Sequence, residues 1–426
     1  MAVRVEQTDV AIVGAGGGGA VLALALAQKG IKTLVLERAS GPPRGLRGEI
    51  LQPNGQRILD RLGLLGKLPS EVTRPVRYFH FYRTGGERLC TIDYGVLPPP
   101  FNLALVTLPN VAHQAILNEL EDVNPGRLWY GTSFSSLLFE QGRVVGLVAE
   151  RGGTPVKVSA KLVVGADGAF SKVREALKIP ARLHLYPDGY LIAILDAPQE
   201  LTDARYFVGR RTILGVFPAA GRKVYLFYMI PAGTMEQVKA QGLSTLQERW
   251  IRIDPSLEAT FRSLRDWEQT AYMPTGRVRA SRWVADGAAL IGDAAHAMNP
   301  HASQGRMQAM MDAMALADLI PACLDSGDCS ADNLRVYERR RRPQVDMLQR
   351  LADEQVVFWN TGNPLLEFLR DRVFRTLDEN PRLRYQVLAV TAGLRSRPPF
   401  GLLDRLMAVG FLPDPRAHLV SPEPAG

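Results

Sequence analysis

Hydrophobic residues in the first forty positions fall into three blocks. Thr8 to Val13 is a short apolar run that ends in a cluster of glycines. Ala20 to Gln28 has the alanine–leucine content of a buried helix and stops at Gly30, and Ile31 to Leu36 is a second apolar run that ends at Glu37. Short apolar runs bounded by turn residues predict strands, and two strands joined through a helix return parallel to each other. The pattern therefore predicts a βαβ unit at the head of a parallel sheet.

Further along, Pro98-Pro99-Pro100 breaks the chain before a helical pattern at Val111 to Glu121. Strand-like stretches follow at Gly142 to Glu150 and Val156 to Val164, and a β-rich region runs from about Gly189 to Ile230. From Leu290 the pattern returns to strand, glycine-containing loop and long helices to about Leu351, and the remainder reads as helices broken by prolines.

At 426 residues, with 46% hydrophobic and 22% charged residues, the chain is too long for one ordinary core and reads as a globular protein of two or three domains. The apolar segment Val10 to Ala27 is interrupted by glycines and lacks the basic start of a signal peptide, so a cytoplasmic location is expected. Cys90, Cys323 and Cys329 form no metal-ligand spacing, which suits small hydrophobic fillers in a reducing compartment, and no metal site is expected. The net charge of +8 is spread along the chain, and the run Arg339 to Arg342 lies in a helical pattern as a solvated face. Nucleic acid is not an expected partner.

Three motifs carry chemistry. The first is Gly14-Ala15-Gly16-Gly17-Gly18-Gly19, a G-x-G-x-x-G between strand and helix, trailed by Glu37 at the end of the second strand. Gly14 permits the tight turn, Gly16 lets backbone approach a pyrophosphate, and Gly19 lets helix pack on strand, while the helix N-terminus offers amide donors. A dinucleotide is expected there, its ribose held by Glu37; the motif alone leaves FAD and NAD both open. The second motif runs from Val163 through Gly165-Ala166-Asp167-Gly168 to Ser171 and Arg174, where Asp167 reads either as a ligand contact or as a turn former. The third is Ile291-Gly292-Asp293-Ala294-Ala295-His296, leading to Pro300, Gln304 and Gly305. An aspartate at the end of a strand there suits a sugar hydroxyl.

In this order the motifs resemble the single-component FAD-dependent aromatic hydroxylases, the p-hydroxybenzoate hydroxylase and ubiquinone-biosynthesis hydroxylase type. The resemblance spans about residues 8 to 345. It implies an α/β fold with a Rossmann-type FAD-binding domain (residues 1–75, 101–180 and 270–345), an inserted β-rich substrate domain (76–100 and 181–269) and a helical C-terminal segment (346–426). Non-covalent FAD would be held by Gly14, Gly16, Gly19, Glu37, Arg38, Arg47, Asp167, Gly168, Gly292, Asp293, Gln304 and Gly305. NADPH or NADH would be a transient co-substrate, since the chain has only one G-x-G-x-x-G.

The chain departs from the family pattern in three places. Ser303 replaces a glycine, Met307 stands where an asparagine is usual, and the helix at Val111 opens with Leu108-Pro109-Asn110 where an arginine often touches FAD.

The activity implied is hydroxylation of an aromatic or quinone-like hydrophobic substrate with O2 through a flavin hydroperoxide; an epoxidase, reductase or dehydrogenase of the same fold is the alternative. Strand alternation sets Tyr225, Phe227 and Met229 on one face and Leu226 with Tyr228 on the other, and places Tyr78, His80 and Tyr82 on one side of an earlier strand. His80, Tyr225 and Tyr228 are the candidates for orienting or deprotonating a phenol. Methionines 307, 310, 311 and 314 have helical spacing and suit a core face or a soft wall. The amphipathic C-terminal stretches are compatible with a cap on the core, a second copy in a homodimer or a membrane surface, and a monomer is equally compatible.

Overall fold

The structure, a computed structural model, describes residues 4–46, 49–198 and 200–420. Its first sheet is built around the strand Arg4–Val13, which pairs in parallel with Thr33–Leu36 on one side and Thr154–Gly165 on the other. Ala288–Leu290 extends this parallel array beyond Thr154–Gly165, and Leu128–Trp129 extends it beyond Thr33–Leu36. Val13 pairs with Leu36 and Gly165, and Gly165 pairs with Leu290, so neighbouring strands end at one level. The hairpin of Thr132–Glu140 and Arg143–Arg151 joins antiparallel to Thr154–Gly165.

The helix Gly17–Ala27 is apolar on every side because it is covered on every side. It lies against the sheet and against the helices Val111–Val123 and Gly305–Asp325. Gly305–Asp325 is the one helix among the described residues long and apolar enough to cross a bilayer, yet it is a core element, with Met307, Met310, Asp312 and Met314 all buried. The three cysteines are buried and free.

The second sheet has seven strands in the order Thr270–Ala280, Ala181–Asp196, Lys223–Pro231, Thr212–Ala219, Ala204–Gly209, Tyr78–Arg83 and Arg88–Asp93. Its residues alternate strictly between two cores, as a period of two requires. Leu191, Ala193, Leu195, Leu214, Val216 and Leu226 face the helix Leu243–Ile253 and its buried Trp250. Ile192, Phe217, Tyr225, Phe79 and Phe81 face the C-terminal helices through Phe374, Leu377, Leu383 and Leu388. A small sheet of Glu49–Leu51, Ala104–Thr107 and Thr73–Val76 lies between the two.

Thr270–Ala280 pairs along Ala181–Asp196, so residues 270–280 lie in the second sheet and not with the dinucleotide-type sheet. Position 346 falls inside the continuous helix Ala331–Trp359, which accommodates Pro343 without ending. The next helix is Pro364–Glu379.

Candidate active site

The three glycines of the first motif serve three different needs. Gly14 has φ +102°, and a β-carbon on it would lie 2.5 Å from the carbonyl oxygen of Ala166. A β-carbon on Gly19 would lie 1.9 Å from the Gly14 carbonyl, so the helix crosses the strand end only because that atom is missing. Gly16 is different: nothing lies within 4 Å of its β-position. Here the backbone faces open space beside the N-terminus of Gly17–Ala27, whose amides have no side-chain cap. Glu37 reaches back to this loop, its Oε2 accepting from Ala15 N at 2.8 Å and its Oε1 from Ala39 N at 2.9 Å. Each oxygen keeps a further lone pair for a ligand hydroxyl. Arg38 is exposed next to it, and Arg47 lies outside the described residues.

Asp167 follows the end of Thr154–Gly165 and caps the short helix Lys172–Ala176. Its carboxylate accepts from Ser171 Oγ at 2.5 Å and from Val173 N at 3.1 Å. Gly168 has φ +85° and open space at its β-position. Arg174 then donates to Ala169 O at 2.9 Å and to Ala294 O at 2.7 Å, tying the second motif to the third. The sequence displayed Arg174 without marking it as a site residue.

In the third motif Gly292 has φ +58°, and Asp293 is exposed between buried Gly292 and buried Ala294. A β-carbon on Gly18 would lie 3.2 Å from Ile291 Cδ1 and 3.1 Å from Ala309 O, so the first and third motifs also touch. All three thus meet at the carboxyl ends of three adjacent parallel strands, where ligands of open α/β sheets sit.

Behind the third motif runs a buried polar chain. Asp312, fully inaccessible, accepts from Gly292 N at 3.0 Å, pairs with His296 Nε2 at 2.5 Å and accepts from Arg341 Nε at 2.9 Å. Burial pushes the Asp312 carboxyl up, but His296 and Arg341 outweigh it and hold the group below the usual carboxylate range. Arg341 continues to Gln308, Gln308 to Gln304 Oε1, and Gln304 Nε2 donates to Thr391 O at 2.5 Å. Asn54 also donates to Gln304 Oε1, at 3.1 Å. Gln304 is thus held by the side chains of Asn54 and Gln308 and by the Thr391 carbonyl, which its place in the sequence did not announce.

The two motif departures have local answers. Met307 is buried, and its Sδ occupies the space that a β-carbon on Gly55 would need, 2.1 Å away. Ser303 takes the left-handed conformation at φ +52°, the backbone that a glycine accepts without strain.

On the second sheet an aromatic cluster meets the loop that precedes Gln304. Tyr190 Oη lies 3.3 Å from His301 Nε2, and that nitrogen lies 3.0 Å from Asn360 Oδ1. Asn360 donates to Asp188, which also accepts from Arg211 at 3.0 Å. Trp359 stands 5.2 Å from the His301 ring and 5.8 Å from Phe81, and Phe227 stands 5.3 Å from Tyr190. Burial pushes His301 down to about 4 against the opposing effect of the hydrogen bond that it donates to Asn360.

Of the candidates on this side, only Tyr225 shares the face of the cluster, where it packs on Phe217. Tyr228 points to the opposite core, against Trp250. His80 alternates away from Phe79 and Phe81, bonds Thr91 Oγ1 at 2.9 Å, stacks on Tyr78 and meets Tyr82 at a tilt. Neither is near His301 because a strand turns successive side chains to opposite faces. Tyr190 and His301 were visible only as a strand aromatic and as the residue after Pro300.

The FAD binding domain family model matches residues 7–352. The 6-methylpretetramide 4-monooxygenase of Streptomyces rimosus is 32% identical over 353 residues, which is 81% of this chain and 82% of that protein. The 3-demethoxyubiquinol 3-hydroxylase of Escherichia coli is 26% identical and covers 91% of this chain and 99% of its own length. Among solved structures, p-nitrophenol 4-monooxygenase from Pseudomonas putida superposes with a TM-score of 0.80 at 20% identity, over 92% of this chain and all of that one, which shows the shared fold.

Proposed function

The chain belongs to the FAD binding domain family and is an FAD-dependent monooxygenase that uses NAD(P)H and O2, and on that premise we propose how its residues divide the work and what it oxidises. The dinucleotide lies along the carboxyl ends of the parallel strands. Its diphosphate rests on Gly16 and the helix end at Gly17, its adenosine ribose on Glu37, and its flavin side on Gly292, Asp293, Gln304 and Gly305. Arg38 borders the ribose end. Asp167 acts through the Ser171–Arg174 turn, and Gly168 lines the opening. The open β-position of Gly16 supports this reading more than any other single feature, because every other flank of the loop is filled by protein.

FAD, when bound, carries electrons from NAD(P)H and activates O2; the protein supplies position, dryness and proton control. The Tyr190–His301 pair replaces His80 and Tyr228 as the group that orients a substrate hydroxyl. Tyr190 Oη presents a proton or lone pair to it, and neutral His301, whose Nε2–H donates to Asn360 Oδ1, holds the tyrosine in place from beside it. Phe227, Trp359 and Phe81 exclude water around the pair. The substrate is a bulky, apolar aromatic molecule with a polar group, in keeping with a relative that oxidises 6-methylpretetramide. The cofactor part comprises residues 4–72, 101–180 and 281–345, and the substrate part 76–100 and 181–280, with the C-terminal helices closing the substrate side.

Gly16→Ala tests the reading. Gly16 has φ −68°, which alanine adopts freely, so thermal stability of the flavin-free chain stays unchanged. The purified variant should lose most of its yellow FAD. Full flavin occupancy in the variant would refute the placement of the diphosphate.

A further inference from the structure

The helix Leu402–Ala408 carries its apolar face on the outside. Leu402, Leu403 and Leu406 share one side of it by helical spacing, and that side meets water: Leu402 is 78% exposed and Leu403 62%. The inward side, Ala408 with Met407, joins the core that holds Phe81 and Tyr225. The chain then turns at Gly410 and presents Phe411, 66% exposed, and Leu412. Phe411 N donates to Leu406 O at 2.9 Å, so these side chains continue the leucine face. Arg372 Nη2 donates to Gly410 O at 2.9 Å, which brings in the helix Pro364–Glu379 and, one turn before Arg372, exposed Phe368. A protein that works alone in water rarely leaves such a group of large apolar side chains together on its surface.

The charges on this face choose its partner. Residues 396–420 hold three arginines and two acids. Both acids turn inward to Arg382: Asp404 Oδ1 accepts from its Nη2 at 2.8 Å, and Asp414 Oδ2 from its Nε at 2.8 Å. Arg397, Arg405 and Arg416 are exposed, Arg405 reaching Glu354 at 2.9 Å. The solvent side of the segment is thus apolar and cationic. A second copy seated on it across a two-fold axis would set these arginines against themselves. We propose that this face docks on an anionic phospholipid bilayer, with the leucines and Phe411 entering the acyl boundary and the arginines meeting headgroup phosphates. The docking stands independently of the substrate assigned above. It would also bring the substrate side of the molecule to the phase in which bulky apolar compounds dissolve.

The test uses the full-length flavoprotein and co-sedimentation with vesicles, one set of equal parts phosphatidylglycerol and phosphatidylcholine and one of phosphatidylcholine alone. Wild type should pellet with the first set, less so as salt rises, and bind the second about tenfold more weakly. Leu402→Ser/Leu403→Ser should lower binding to the anionic vesicles by about tenfold or more. Arg397→Gln/Arg416→Gln should lower it by about fivefold for each arginine removed. All four side chains are exposed, so both variants keep the wild-type melting temperature and FAD content, which separates lost docking from misfolding. Absence of wild-type binding to anionic vesicles, equal binding to the two vesicle sets, or unchanged binding in the leucine variant would overturn the proposal. A wild-type dimer in sedimentation equilibrium that the leucine variant dissociates would give the face to a second copy and overturn it as well.

Discussion

Arg174 and Ala294 stand 120 residues apart in the chain, yet the guanidinium of one donates a 2.7 Å hydrogen bond to the carbonyl of the other. The same guanidinium holds Ala169 O, so one side chain fixes the turn after the second motif and the helix that opens the third. Arg174→Met should cost about 2 kcal/mol, since a half-buried charged donor leaves two carbonyls behind. The expected readout is a melting temperature lowered by several degrees together with faster FAD loss on dialysis. Arg174→Lys, which cannot fork to both carbonyls, should fall between.

The Asp312 carboxylate is the hub of the buried chain behind Gly292. Asp312→Asn strands Arg341 and weakens the contact to His296, and the expected cost is about 3–5 kcal/mol in denaturant unfolding. The sign of its pH dependence follows from its lowered value. A carboxyl held below its unfolded level contributes stability that is present above about pH 4 and is lost as pH falls through the folded value. Asp312→Asn should erase that part of the acid transition.

His301 adds a second, higher window. Its folded value near 4 lies under the ordinary histidine value of 6.5, so the unfolded chain takes up the proton first as pH drops. Stability from this residue is complete above about pH 6.5 and falls away toward pH 4, by about 3 kcal/mol at most. Melting curves between pH 7 and 4 should show this slope in the wild type and a flatter one in His301→Gln. An identical slope in both would show that His301 is not held neutral by the fold.

Ser303 sits at φ +52°. Ser303→Gly relieves left-handed strain of about 1–2 kcal/mol and returns about 0.5–1 kcal/mol to the entropy of the unfolded chain. The expected net gain is below about 1 kcal/mol, read as a small rise in melting temperature. A loss of stability would mean that the serine side chain makes a contact worth more than the strain.

The first motif was legible because its demands are local. Strand, glycine turn, helix and Glu37 lie within one short unit, and Gly14 and Gly19 answer steric needs that no other residue meets. The second sheet was legible as strands but not as pairings. Alternation gave the faces of Tyr225 and Tyr228, while only the register of Thr270–Ala280 against Ala181–Asp196 put residues 270–280 in that sheet. His301, Tyr190 and Asn360 were illegible because they come from three separate segments, and a hydrogen bond between residues 111 positions apart has no periodicity to announce it.

The bond from Gln304 to Thr391 O spans 87 residues. The turn ahead of Gly305 therefore cannot lock until residue 391 has been made, long after the glycine loop. The apolar helix behind that loop waits for partners translated hundreds of residues later, a stretch in which its uncovered surface is open to misassociation.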